Sequence, residues 1–156
     1  MRTVTPTGGH GGTARRLVSV GTAGVNEYAS APAEPRRLNA TDLVRLRQHI
    51  ADVTTRAGLD PGRAAELALA VNEVASNAIE HGDGMVSVTV RLAGTRVVVE
   101  VRDGGPGIPA GTTADRPEPD AERGRGLWLV GQLCDEVDVE SDAGGTRVRL
   151  AMALPA

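Results

Sequence analysis

Two hydrophobic periods divide the chain. Through the region from residue 41 to 81, apolar residues recur every three or four positions; from residue 86 onward they mostly recur every second. The first period marks helices with one buried stripe, the second half-buried strands. Leu43, Leu46, Ile50 and Val53 form one stripe, which predicts a helix from Thr41 or Asp42 to Ala57, ended by Gly58. A second helix opens at "LDPGR", with Asp60 as N-cap and Pro61 at the first helical position, and closes at His81-Gly82. Leu67, Val71, Val74 and Ala78 fill its buried side, while Glu66, Glu73, Asn77 and Glu80 share the opposite one.

Val86, Val88, Val90 and Leu92 alternate with Ser87, Thr89 and Arg91, which predicts a strand. "AGT" turns the chain into a second strand, "RVVVEV". After "RDGGPGIP" and a Pro-, Asp- and Glu-rich loop through Arg123 comes a third helix, "GLWLVGQLCD". Two strands follow, near Val137 to Ser141 and Thr146 to Met152. This order predicts an α/β (α+β) two-layer sandwich, a mixed, mostly antiparallel sheet with helices on one face. Residues 1–35 are rich in Gly, Thr, Ala and Pro and lack sustained periodicity, so they are expected to form a disordered tail, with "RRLVSV" offering an edge strand. Residues 36–156 make the domain.

Composition narrows the chemistry. There is no Phe, one Trp and one Tyr, so the core must be aliphatic and platforms for stacking bases are scarce. A net charge of -3 also opposes a phosphate-backbone footprint, and no direct nucleic-acid partner is expected. All 17 basic residues are Arg. A Walker A loop and an ordinary protein-kinase strand both need Lys, so neither can exist here. Cys134 is the sole cysteine and reads as a packing residue in an apolar helix; His10, His49 and His81 have no metal-ligand spacing. "ARRLVSVGTAGVNEYASA" loosely mimics a twin-Arg export signal, but its apolar run is short and Gly-rich. No stretch approaches a membrane span, and a cytoplasmic protein without a membrane partner is expected.

Four segments can carry chemistry, and each has a plainer reading when taken alone. "NEVASNAIEHG" stacks Glu73 and Asn77 one turn apart, which otherwise is a solvated helix face. "DGGPGIP" puts the Asp103 carboxylate at a strand end, where it can accept a hydrogen bond from an exocyclic amine; Gly105 and Gly107 let a flat ligand reach the backbone. Otherwise it is a Gly/Pro turn. Gly124, Arg125 and Gly126 open a helix, where free N–H groups bind phosphate or a turn simply needs flexibility. Thr146 offers a hydroxyl at a strand start, or only β-propensity.

Together these segments resemble the Bergerat-type ATP-binding superfamily, which includes gyrase, heat-shock chaperone, histidine kinase and mismatch-repair domains. "NEVASNAIEHG" is similar to its N-box, "DGGPGIP" to its first glycine box and "GRGLWLV" to its second. The closest likeness is to small bacterial anti-sigma factor serine kinases, whose ends read "GRGL … D … GT" as here. The resemblance spans about residues 38 to 152.

The resemblance implies that Asn77 offers its side-chain oxygen to Mg²⁺ and that Glu73 acts as general base. It implies that Asp103 grips the adenine amine, with Gly105, Gly107 and Thr146 completing the base pocket. Gly124 and Gly126, with Arg125, would hold the phosphates, and Ile108 to Arg123 would form a lid over ATP. The implied function is an ATP-dependent serine/threonine kinase that binds a sigma factor and phosphorylates an anti-anti-sigma protein; assembly as a homodimer is left open. Two alternatives stand beside it: an ATP-dependent binding module without chemistry, and a detached histidine-kinase ATPase domain.

Overall fold

The computed structural model describes residues 2–3, 35–105 and 125–156. Among them the order is β1 (Arg2–Thr3), β2 (Arg36–Arg37), α1 (Ala40–Arg56), α2 (Pro61–His81), β3 (Met85–Ala93) and β4 (Arg96–Asp103), then α3 (Arg125–Leu133), β5 (Glu136–Asp142) and β6 (Gly145–Ala153).

Local chemistry sets the helix ends. Helix α1 starts slightly before the expected Thr41 or Asp42, because Asn39 is its N-cap. The Asn39 side chain accepts the Asp42 N–H at 2.9 Å, and the Asp42 carboxylate accepts the Asn39 N–H at 2.9 Å. Two otherwise orphaned donors are thereby satisfied reciprocally. At the other end Gly58, at φ +107°, donates to the Thr55 carbonyl while Leu59 donates to that of Thr54, a left-handed stop that glycine accepts without strain. The expected start of α2 holds: Asp60 accepts from the N–H groups of Gly62 and Arg63, and Pro61 fills the first helical position. Cys134 lies one residue past α3 rather than within it, and is fully buried.

The sheet order is β1-β5-β6-β4-β3-β2. The expected mostly antiparallel sheet is antiparallel at all five of these pairings. Of the expected tail, Arg2–Thr3 pair with β5 and residue 35 precedes β2; the remainder, "RRLVSV" included, lies outside the described residues.

Helix α2 lies against β3, β4 and β6, with α1 and α3 packed beside it. Its Leu67, Val71, Val74 and Ala78 are buried as the pattern predicts, and they meet Val97, Val99, Val101, Val148, Leu150 and Met152 from the sheet. The alternate sheet positions carry charge. Glu100 pairs with Arg102 and, at 2.8 Å, with Arg149; Arg147 pairs with Glu140 and Arg96 with Glu136. This alternation keeps the helices on one face and yields the two-layer sandwich. In α1, Ile50 is buried while Leu43, Leu46 and Val53 pack at the core edge. Thr54 is the polar residue buried there, its hydroxyl donating to the Ile50 carbonyl at 2.7 Å.

Burial separates two aliphatic residues sharply. Leu67 is 0% exposed whereas Val44 on α1 is 58% exposed. Urea unfolding should show Leu67→Ala losing about 2–5 kcal/mol, the range for emptying a packed site, and Val44→Ala changing by no more than about 0.5 kcal/mol. Equal losses would mean that α2 does not seat its stripe on the sheet.

Candidate functional site

Three backbone segments meet at the end of β4. One is Gly82–Asp83, leaving α2; the second is Asp103–Gly105, leaving β4; the third is Gly145–Thr146, opening β6. Antiparallel register sets Asp103 directly opposite Thr146 on one side and Val86 on the other. A Cβ on Gly105 would lie 2.6 Å from the Cα of Gly82 and 2.8 Å from the Asp83 nitrogen. A Cβ on Gly145, at φ +136°, would lie 2.1 Å from the Asp103 carbonyl oxygen. Backbone touches backbone at both places, so only glycine fits. Gly82 has φ -94°, so it serves this closeness rather than a left-handed cap; a Cβ there would sit 3.0 Å from Asp103 Oδ1.

Asp103 is half-buried, and its Oδ1 accepts the Gly105 N–H at 2.9 Å. Burial raises its pKa above the usual carboxylate value and the like charge of Asp83 raises it further, while the Gly105 N–H pulls the other way. Among the described residues the carboxylate has no cationic partner, so it is an acceptor with capacity to spare for a ligand donor. Asp83 itself accepts the Met85 N–H at 2.9 Å. Thr146 Oγ1 stands 3.1 Å from the Oγ of Ser141, its partner on β5.

The acidic face of α2 resolves into separate parts. Glu66 is bound by Arg63 at 2.7 Å, and Glu80 is exposed beside His81 at 3.6 Å. Glu73 and Asn77 remain, half-buried and one turn apart, without a side-chain hydrogen bond among the described residues. Glu73 lies near the middle of α2 and Asn77 one turn further toward Gly82.

Helix α3 supplies the fourth segment. Arg63 Nη1 donates to the Leu133 carbonyl at 3.4 Å, which sets the C-terminal end of α3 at the first turn of α2. Because α3 also packs along α2, it must run back beside it. At 1.5 Å per residue its length is about 12 Å, so its first turn falls part-way along α2. Arg125 and Gly126 form that first turn. Gly107, Gly124 and the expected lid, Ile108 to Arg123, lie outside the described residues.

Asp103, Gly105 and Thr146 are thus brought together, with Glu73 and Asn77 on the helix that ends against them. Gly82, Asp83 and Gly145 belong to the same cluster and were not anticipated. The signal was there in "EHGDG" and "AGGT", but glycines beside a helix end or a hairpin read first as turns.

A family model described as histidine kinase-like ATPase domain matches residues 37–152. The anti-sigma F factor of Geobacillus stearothermophilus is 38% identical over 110 residues, covering 62% of this chain and 75% of that protein. The serine-protein kinase RsbW of Bacillus pumilus is 30% identical over 131 residues, covering 74% of this chain and 78% of that one. The crystal structure of the RsbU and RsbW domains of a Mycobacterium tuberculosis protein matches at TM-score 0.58 and 25% identity, over 81% of this chain and 34% of the other. This chain therefore spans about a third of that larger one.

The raised pKa of Asp103 has a signed consequence. An acid whose pKa is higher folded than unfolded binds more protons in the folded state between the two values, so stability falls as pH rises through that window. Asp103→Asn keeps an oxygen for the Gly105 N–H but carries no charge. Its stability, followed by urea unfolding from pH 3 to 7, should exceed that of the parent at pH 7 and converge on it below the ordinary carboxylate range. A variant less stable than the parent at pH 7 would contradict a desolvated, ligand-free carboxylate.

Proposed function

The chain belongs to the histidine kinase-like ATPase domain family, and from that premise we propose that it is an ATP-dependent serine/threonine protein kinase that also acts as an anti-sigma factor. In this reading it holds a sigma factor and phosphorylates an anti-anti-sigma protein that competes for it. The observation that carries the reading is the pairing of Glu73 with Asn77 on a helix that ends at the Asp103 cluster, in a chain similar to proteins named anti-sigma F factor and serine-protein kinase.

The residues fit the ligands that the family implies. Asp103 would accept a hydrogen bond from the exocyclic amine of adenine, and Gly105, Gly107 and Thr146 would border the base. Gly124, Arg125 and Gly126 would bind phosphate oxygens, as the resemblance implies. Asn77 would contribute its side-chain oxygen toward Mg²⁺, a hard ion that takes oxygen ligands. Bound there, the metal would supply charge neutralisation at the phosphates. Glu73 takes the proton of the incoming serine or threonine hydroxyl, which is a poor nucleophile until a base begins to remove it. The hydroxyl oxygen gains the γ-phosphoryl group and ADP departs.

Residues 36–156 make up the kinase domain, preceded by a tail of residues 1–35. No helix among the described residues is long and apolar enough to cross a membrane, in keeping with action in the cytoplasm. A homodimer is the assembly to test first by sedimentation.

Glu73 and Asn77 have separable tasks, and their variants should part accordingly. Glu73→Gln retains shape but loses basicity. It should bind ATP as the parent does while transferring phosphate about 10²–10⁴-fold more slowly, the usual scale for losing a general base. Asn77→Ala should weaken Mg·ATP binding and transfer together. The assay is radiolabelled transfer to the cognate antagonist beside a nucleotide titration. Parent protein that binds ATP and a sigma factor yet transfers nothing would replace the kinase with a binding module.

A further inference from the structure

Arg63 joins elements that are distant in sequence. Its Nη2 donates to Asp135 Oδ1 at 2.5 Å, and its Nη1 to Glu66 Oε2 at 2.7 Å and to the Leu133 carbonyl at 3.4 Å. Asp135 in turn accepts the Ala153 N–H on Oδ2 at 2.9 Å, and its own N–H donates to the Ala151 carbonyl at 3.1 Å. The first turn of α2, the end of α3 and the last strand β6 are therefore bound at one point. Partial burial works against the guanidinium charge, but the bonds to Glu66 and Asp135 outweigh it and hold Arg63 charged. A cation at the C-terminal end of α3 also complements the helix dipole.

We propose that the Arg63–Asp135 pair positions the phosphate-binding end of α3 against Glu73 and Asn77. This inference rests on the nucleotide reading of the site given above. Helix α3 is short, with nine residues, and a rigid rod of about 12 Å transmits a shift at one end to the other. Its far end carries Arg125 and Gly126. The pair itself is too remote to touch a nucleotide, since Arg63 lies ten residues, or about 15 Å, before Glu73 on the same helix. It is a positioning pair, and what it sets is the spacing between the start of α3 and the middle of α2.

The adenine cluster is built on other elements: the end of α2, the end of β4 and the start of β6. Base and phosphate should therefore respond differently when the pair is broken. Arg63→Met keeps the aliphatic stem that covers the helix surface and removes all the charged bonds. Arg63→Lys keeps the charge but cannot reach Glu66, Asp135 and the Leu133 carbonyl together.

The experiment titrates adenosine and Mg·ATP separately into the full chain and both variants, with far-UV circular dichroism as the check on folding. In Arg63→Met the ATP affinity should fall at least 10-fold while adenosine affinity stays within 2-fold, and Arg63→Lys should fall between it and the parent. Unchanged ATP affinity in both variants overturns the positioning role, and so does an equal loss of adenosine and ATP, which marks general destabilisation. If Arg63→Met does not fold, Arg63→Lys alone decides by the same ratio. Parent protein that binds ATP no more tightly than adenosine removes the phosphate site, and this inference with it.

Discussion

A half-buried carboxylate held among close-packed backbone is the constraint on which this end of the sheet depends. Asp103 sits where β4 ends, with Gly82 behind its side chain, Gly105 donating to it and Gly145 pressed against its carbonyl. None of these neighbours can carry a side chain without displacing backbone. The result is a carboxylate partly stripped of water, lacking a cation among the described residues and facing the like charge of Asp83. Such a group is costly in the free protein and gains when a ligand donor reaches it. Site and instability therefore have the same origin.

The rest of the fold keeps that arrangement in register. Pairing of β4 with β6 puts Thr146 opposite Asp103, and pairing of β3 with β4 puts Val86 on its other side. A slip of one residue would send Val97, Val99 and Val101 to the charged face. The far face resists such a slip in its own way, because Glu100 finds Arg149 only in this register. Helix α2 contributes at two levels. Its aliphatic stripe seats it on the sheet, and the same seating fixes Glu73 and Asn77 relative to the Asp103 cluster.

How much was legible in the sequence follows from the range of each interaction. Helix α2 was readable end to end because Asp60, Pro61 and Gly82 act within a few residues. The start of α1 was misplaced slightly because Asn39, Thr41 and Asp42 are all good caps, and only the reciprocal bond between Asn39 and Asp42 decides among them. The strands came from period-two alternation, which cannot give register, so the ladder of Glu100 with Arg149 was invisible. Asp103, Gly105 and Thr146 were legible as motifs. Asp83 and Gly145 were not, since their importance lies in contact with residues 20 or more positions away. Arg63 and Asp135, 72 positions apart, could not be paired from the sequence at all.

In the proposed function Asp103 reads the base. Adenine presents an amine donor where guanine presents an oxygen, so a carboxylate there would meet guanine with acceptor facing acceptor. Isothermal titration of the full chain with ATP and with GTP, both in Mg²⁺, measures this directly. ATP should bind at least about 10-fold more tightly, the equivalent of roughly 1.4 kcal/mol. Equal affinity for the two nucleotides would contradict it.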